Sequence, residues 1–249
     1  MKRCLPMLLF LAVAFGAATH GPDHGWLVII GGGQIGPEVW DRFFALAGGK
    51  DQPIVLIPTA NDAHQDKALE TIRQAGATNL TVLHTRDRKM ADSEAFVAPL
   101  HNARGVYFSG GWQRRLADAY LGTRTERELH ALLDRGGVIG GSSAGASIMG
   151  SFLVGGGSRI KGMGFLTDSA INQHLLTRHR EQRLVPVINQ RPQLLGIGLD
   201  ERTAIVVHGS QFEVIGPSKV AIYTAGHPYY FLQAGDRFDL AKRAVVTGR

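Results

Sequence analysis

Gly141-Ser142-Ser143-Ala144-Gly145 is the stretch of this chain whose residue types and spacing suit covalent chemistry. It fits G-x-S-x-G, the pattern of a nucleophile elbow. Val138 and Ile139, just before it, read as a short buried strand, and the residues after it open a helix. A strand that turns directly into a helix brings two backbones so close that the flanking positions accept little beyond glycine. The apical residue, Ser143, is then strained, with its hydroxyl exposed. Ala144 sits at the helix N-terminus, where an unpaired N–H and the positive dipole end can receive an oxyanion. The chain holds 32 glycines in 249 residues, against a usual share of ~7%, so the pattern alone also fits a phosphate cradle.

A serine nucleophile needs a base to take its proton and an acid to orient that base. Four histidines lie downstream: His174, His179, His208 and His227. His208 falls in a hairpin turn and His227 precedes Pro228, both surface positions. Arg178 and Arg180 flank His179 and oppose its protonation as a general base. His174 follows a short apolar segment and sits in a polar cluster with Asn172 and Gln173. For the acid, Asp200 and Glu201 end a glycine-spaced apolar strand, where a carboxylate can be part-buried; Asp168 is the alternative.

The elements that must position these groups alternate between strand and helix. Trp26–Ile30 is a continuous apolar run, the mark of a strand buried on both faces. Gly31-Gly32-Gly33-Gln34-Ile35-Gly36 follows. It resembles a dinucleotide loop, but Pro37 comes next and no acidic residue ends a second strand ~20 residues on. A tight turn beside an active site is the better reading, with Pro37 opening a helix to about Ala47. Pro53–Pro58 is the second strand, and Asn61 and Asp62 can cap a helix over Ala63–Ala75. Thr81–Leu83 is a third strand, Asp92–His101 a helix, and Gly105–Phe108 a fourth strand ending in Ser109-Gly110-Gly111-Trp112-Gln113. Helices follow over Gln113–Tyr120 and Thr125–Arg135. After the elbow come a glycine loop (Gly155–Gly157), the arginine-rich segment Arg178–Arg183 and a helix to about Asn189. Ala204–Val207, Phe212–Ile215 and Val220–Tyr223 alternate around turns, as antiparallel edge strands do. The expected fold is therefore α/β, a mostly parallel sheet with helices on both faces and antiparallel edge strands near the C-terminus. In such sheets the site lies at the carboxyl ends of the strands, where both Gly110-Gly111 and Ser143 fall.

The chain opens on Met1-Lys2-Arg3, a nearly unbroken apolar run from Cys4 to Phe15, and small residues at Gly16, Ala17 and Ala18. This is the pattern of a secretory leader over residues 1–18, too short for a span of ~20 residues. The expectation is an exported protein, periplasmic or extracellular, with no stable membrane anchor after cleavage. Cys4 is the single cysteine, so residues 19–249 offer no disulfide, thiolate metal site or cysteine nucleophile. Covalent chemistry must use a hydroxyl, and no metal or cofactor is called for. Losing Lys2 and Arg3 lowers the formal net charge of +6 by two. No basic run or basic-aromatic interleaving points to nucleic acid; scattered arginines suit acidic substrates or a solvated surface. The remaining residues suffice for one large α/β domain, residues 19–249.

Four motifs in order (Gly-Gly-x-Gln after a strand, Gly-x-Ser-Ala-Gly-Ala, x-Gln-His with three spaced arginines, Gly-x-Gly-x-Asp-Glu-x-Thr-Ala) resemble the cyanophycinase and aspartyl dipeptidase group of serine peptidases. The likeness runs from Leu27 to about Tyr223. It implies a class I glutamine-amidotransferase-like fold and a Ser143–His174–Glu201 triad. It also implies an oxyanion hole from the N–H groups of Gly111 and Ala144. Gln113, Gln173, Arg178, Arg180 and Arg183 would line the substrate pocket, where arginine forks suit the carboxylates of an aspartate-rich peptide or polymer. The relatives also suggest a homodimer. Two positions depart from the group's pattern: Asn172 stands where cyanophycinases typically carry aspartate before Gln-His, and Trp112 where they carry the acid of Gly-Gly-Asp-Gln. Both remove an anion that could pair with a cationic substrate side chain. Small aspartyl dipeptides, an ester, or binding of acidic peptides without turnover are the other functions this pattern admits.

Overall fold

A computed structural model describes residues 19–157 and 160–247; the expected leader, residues 1–18 with Cys4, lies outside them. The first half is a chain of β-α units: β1 (Trp26–Ile30), α1 (Pro37–Ala47), β2 (Ile54–Ile57), α2 (Gln65–Gln74), β3 (Leu80–Val82), α3 (Arg88–Ala91), α4 (Glu94–His101), β4 (Gly105–Phe108), α5 (Gln113–Tyr120), α6 (Arg124–Asp134) and β5 (Val138–Ser142). The short helix α7 (Ala144–Ser147) follows β5, and then come β6 (Gly150–Phe152), β7 (Leu166–Gln173), α8 (Val185–Gln190) and β8 (Leu195–Leu199). The chain closes with β9 (Ala204–His208), β10 (Gln211–Ile215), β11 (Val220–Tyr223), β12 (Tyr230–Leu232), β13 (Arg237–Asp239) and β14 (Ala244–Val245).

Among the described residues these strands form two sheets. The larger runs β14-β13-β10-β9-β1-β5-β4-β2-β3. Its β1, β5, β4, β2 and β3 pair in parallel, whereas β9, β10, β13 and β14 add on antiparallel. The expected architecture is thus present, with one addition. A smaller sheet, β12-β11-β8-β7-β6, stands apart from the main one, and Val220–Tyr223 belongs to it rather than to the main sheet's edge.

Side-chain alternation explains the layering. On β1, Leu27 and Ile29 point into a core shared with α4–α6 and with Ile171, Ile197 and Ile222 of the small sheet. Val28 and Ile30 point the other way, against Val39, Trp40, Phe43 and Phe44 of α1. The opposite face of the small sheet, with Ala170 and Tyr223, is covered by Leu184 and Ile188 at α8. An apolar run on β1 is required because both faces are dry. The helix expected from Ala63 begins at Gln65, after a 3-10 turn over Thr59–His64. No helix among the described residues is long and apolar enough to cross a membrane.

Candidate active site

Ser143 stands between β5 and α7 with φ 55° and ψ −109°, a conformation that costs a non-glycine residue roughly 1–3 kcal/mol. The fold imposes it. Ser143 N–H donates to the Ile30 carbonyl of β1 (3.1 Å), and its own carbonyl receives the N–H of Ala146 and Ser147 at 3.1 and 3.0 Å. The chain therefore leaves one hydrogen-bond ladder and enters another within a single residue. The second glycine of the pattern is a packing requirement, because a Cβ on Gly145 would lie 2.4 Å from the Phe108 carbonyl oxygen of β4.

His174 arrives from the other sheet, directly after β7. Its N–H donates to the Gly31 carbonyl (2.9 Å), and it too has positive φ, 52°. The ring is 2.9 Å from Ser143 Oγ at Nε2 and 2.5 Å from Glu201 Oε1 at Nδ1. A carboxylate only accepts, so Nδ1 carries the proton and Nε2 is left to accept the Ser143 hydroxyl. Glu201 sits just past β8, where Arg202 N–H donates to the Gly32 carbonyl (2.9 Å). The loop after β1 thus ties all three residues together. A Cβ on Gly32 would meet His174 Cε1 at 2.3 Å, so this glycine is the space the imidazole occupies. His174 is 5% exposed. Burial lowers its pKa below the ordinary 6.5; Glu201 opposes the shift, and Arg178 and Arg180 add to it. The ring is therefore held neutral and able to take a proton at neutral pH.

The other candidates are placed elsewhere. Asp200 turns away from His174: its Oδ1 accepts from the N–H groups of Leu176 (3.0 Å) and Thr177 (2.9 Å) and from Thr177 Oγ1 (2.9 Å), and its Oδ2 from Ser218 Oγ (2.8 Å). Burial pushes this carboxyl up, and hydrogen bonds from Thr177 and Ser218 more than offset it, leaving the pKa low. Asp200 fastens the turn that carries His174. Asp168 lies at the start of β7, six positions before His174. His208 stacks on Trp26 (4.2 Å between centroids) and its Nδ1 contacts the Gly25 carbonyl at 2.8 Å, and His179 and His227 are exposed.

Gly110 lies over the serine, where a Cβ would be 3.3 Å from Ser143 Cβ, and Gly111 beside it packs on the Ala60 carbonyl, 2.3 Å from where its Cβ would stand. This loop is propped from behind by the turn after β2. Trp112 N–H donates to the Ala60 carbonyl (2.9 Å). The hydroxyl of the adjacent Thr59 bonds His84 Nδ1 (2.9 Å) and the hydroxyl of Tyr120 (2.5 Å) at the end of α5. Thr59 and Tyr120 are fully buried. Nothing in the sequence pattern singles out this network, whose members lie on three separate elements.

The sequence model of peptidase family S51 matches residues 27–215. The chain belongs to peptidase family S51. This S51 peptidase is 31% identical to the cyanophycinase of Geminocystis herdmanii over 215 residues, 79% of each chain. It is 29% identical to the cyanophycinase of Synechococcus elongatus, over 87% of this chain and 73% of that one. Its fold is shared with a crystal structure of a peptidase from an acI-B1 Actinobacterium, at a TM-score of 0.74 and 24% identity, covering 88% of this chain and 98% of that one. The S51 peptidase is accordingly a hydrolase of peptide substrates.

Beside Ser143 and His174 opens a cleft of about 1060 Å³ that runs between α1 and α2. Arg178 is among its lining residues; Gln113, Gln173, Arg180 and Arg183 are not. Gln113 donates to the Val154 carbonyl (2.8 Å). Arg180 Nη1 donates to the Gln173 Oε1 (2.6 Å) and to its carbonyl (3.2 Å), and the buried Asn172 donates to the Arg180 carbonyl (3.1 Å). Arg183 lies exposed in a 3-10 turn, Glu181–Arg183, where the arginine-rich segment bends ahead of α8. Among the described residues no group of three or more His, Cys, Asp or Glu gathers that could hold a metal ion.

Proposed function

We propose that this S51 peptidase is a serine peptidase that hydrolyses aspartyl peptide linkages through a Ser143–His174–Glu201 triad. The observation that carries the reading is the relay itself, Ser143 Oγ to His174 Nε2 at 2.9 Å and His174 Nδ1 to Glu201 at 2.5 Å, with the serine on a strained elbow. Ser143 Oγ attacks the scissile carbonyl carbon as its proton passes to His174 Nε2. The N–H groups of Ala144 and Gly111 receive the oxyanion. His174 then gives its proton to the leaving amine, and an acyl-enzyme remains on Ser143. Water, deprotonated by the same nitrogen, attacks the ester, and the proton returns to Ser143 as the acid product leaves. Glu201 holds the tautomer and stabilises the imidazolium.

Similarity to cyanophycinases supports an aspartate-rich polymer as substrate. A dipeptidase acting on small aspartyl peptides is the second reading. It is favoured by Trp112 in place of an acid, and by Asn172, whose side chain is committed to the Arg180 turn. We also propose that residues 1–18 direct export, which N-terminal sequencing of the secreted protein tests.

The deciding experiment incubates residues 19–249 with cyanophycin, β-aspartyl-arginine and α-aspartyl dipeptides beside Ser143→Ala. Release of product from the polymer that the variant abolishes supports the polymer reading; turnover of the small peptides alone supports the second. Turnover undiminished in Ser143→Ala overturns the nucleophile assignment.

A further inference from the structure

Asn61 lines the cleft together with Ser109, Gly110, Ser142, Ser143 and His174, and neither the relay nor the Thr59 network uses its side chain. The sequence offers Asn61 as a cap for the helix after β2, but that helix begins at Gln65. Asn61 instead interrupts the 3-10 turn over Thr59–His64, with φ −145° and ψ 80°. Its N–H still closes the turn on the Pro58 carbonyl (2.8 Å), and the backbone then runs out extended. The preceding residue, Ala60, gives its carbonyl to the N–H of Trp112 (2.9 Å), which locks this turn to the Gly110–Trp112 loop. At the junction Asn61 Cβ stands 2.8 Å from the position a Cβ on Gly111 would take. The Asn61 side chain is half-buried and has no hydrogen-bond partner among the described residues. An amide with two N–H donors is thus held beside the oxyanion loop, in the same cleft as the nucleophile, with nothing of the protein to donate to.

We infer that Asn61 is a catalytic residue, whose Nδ2–H donates to the oxyanion formed when Ser143 Oγ adds to the scissile carbonyl. The inference rests on the proposed serine-peptidase reading and adds a side-chain donor to a hole otherwise made of the backbone N–H groups of Gly111 and Ala144. The hole has use for it. The helix behind Ala144 is a single turn, Ala144–Ser147, so few peptide dipoles align there to favour negative charge. A neutral amide needs no proton transfer and strengthens its hydrogen bond as charge develops on the oxygen. It therefore acts on kcat rather than on KM.

The test compares wild type, Asn61→Ala, Asn61→Asp and Ser143→Ala on cyanophycin and on β-aspartyl-arginine at about pH 8, where an aspartate is ionised. The first three are also titrated with an aspartyl boronic acid, which adds to Ser143 Oγ as a tetrahedral anion. Asn61→Ala is expected to lower kcat by about 10²-fold, as loss of one oxyanion donor does, with KM within about threefold of wild type. Boronate affinity should fall by a similar factor. Asn61→Asp keeps the shape of the side chain and puts a carboxylate where the donor stood, so both quantities should fall further than in Asn61→Ala. A packing role predicts the opposite order, because the isosteric aspartate then disturbs less. A kcat within threefold of wild type in both variants, a rise in KM alone, or aspartate as the milder substitution overturns the inference. Turnover abolished in Ser143→Ala but unchanged in the Asn61 variants removes this inference and leaves the peptidase reading standing. Turnover retained in Ser143→Ala removes both. If the wild type cleaves neither probe, the polymer and dipeptide reading falls, and the boronate affinities alone decide the role of Asn61.

Discussion

Ser143 and His174 meet at one point from two different sheets, and each is held there by different means. Ser143 follows β5, which pairs in parallel with β1 and β4 inside the large sheet. Backbone sterics fix it: a left-handed φ, a glycine pressed on the Phe108 carbonyl, and a hydrogen bond to the neighbouring strand. His174 and Glu201 follow β7 and β8 of the small sheet. Side-chain hydrogen bonds fix their segments, above all the four that converge on Asp200. The end of β1 and the loop after it join the halves, giving the Ile30 carbonyl to one side and the Gly31 and Gly32 carbonyls to the other. The strained serine is thus held by backbone packing and hydrogen bonds within the main sheet, whereas the base depends on a polar turn. The two halves should fail differently.

The largest effect belongs to the nucleophile side. Ser143→Ala should lower kcat by at least ~10³-fold, as loss of one member of such a unit does elsewhere, with the fold unchanged by circular dichroism. Next comes the junction. Gly32→Ala puts a methyl group where the His174 ring lies, 2.3 Å from Cε1, at a φ of 122° that side chains rarely adopt. The imidazole must shift by about an ångström, and a displacement of that size costs on the order of 10² in rate. If Gly32→Ala retains kcat within threefold of wild type, the two halves are not coupled through this loop.

The two halves also differ in how legible they are. The elbow is a local feature: glycines and serine at fixed spacing after an apolar strand, readable because the steric demand acts between residues close in sequence. The parallel sheet is equally open to reading, since burial of both faces forces continuous apolar runs on β1, β2 and β4. His174 lies 31 residues from Ser143 and Glu201 a further 27 from His174. No periodicity links them, so the residues alone leave Asp200, Glu201 and Asp168 open as partners. Only the motif order of a known family points to Glu201. The strand that delivers His174 is less legible still. β7 includes Asp168, Ser169, Asn172 and Gln173, and it forms no apolar run because its polar groups are satisfied internally, Ser169 Oγ by the Leu166 carbonyl (2.8 Å) and Asn172 by the Arg180 carbonyl (3.1 Å). A second sheet built partly from such strands leaves no hydrophobic signature.

A smaller effect should come from behind the oxyanion loop. Thr59→Val keeps the shape of the side chain and removes the hydroxyl that joins His84 to Tyr120. Breaking one buried hydrogen-bond partner costs roughly 1–3 kcal/mol of stability, visible as a lower Tm. If the network also sets where Gly111 presents its N–H, kcat falls by about tenfold with KM little changed, because a displaced oxyanion donor weakens the transition state alone. Affinity for a phosphonate mimic of the tetrahedral intermediate should fall in step with kcat. A lower Tm with kcat and mimic affinity intact would make Thr59 structural only and confine control of the nucleophile side to the elbow.

The smallest effect is on the base, and it is read in pH rather than in rate. Burial is the main reason the His174 pKa lies below 6.5, and Arg178 and Arg180 depress it further. In wild type the acid limb of kcat/KM, which reports the free enzyme, should therefore fall below pH 6.5. Arg178→Ala removes a cation that disfavours the imidazolium. The pKa then rises toward its ordinary value, and the limb moves to higher pH, so the variant loses activity on acidification sooner than wild type does. Because Arg178 is exposed, salt should screen it, moving the wild-type limb the same way and narrowing the gap between the two profiles. A limb that moves neither in Arg178→Ala nor in Arg180→Ala would leave burial as the depressing cause, and His174 would then be tuned by the packing of the two sheets rather than by the nearby arginine charges.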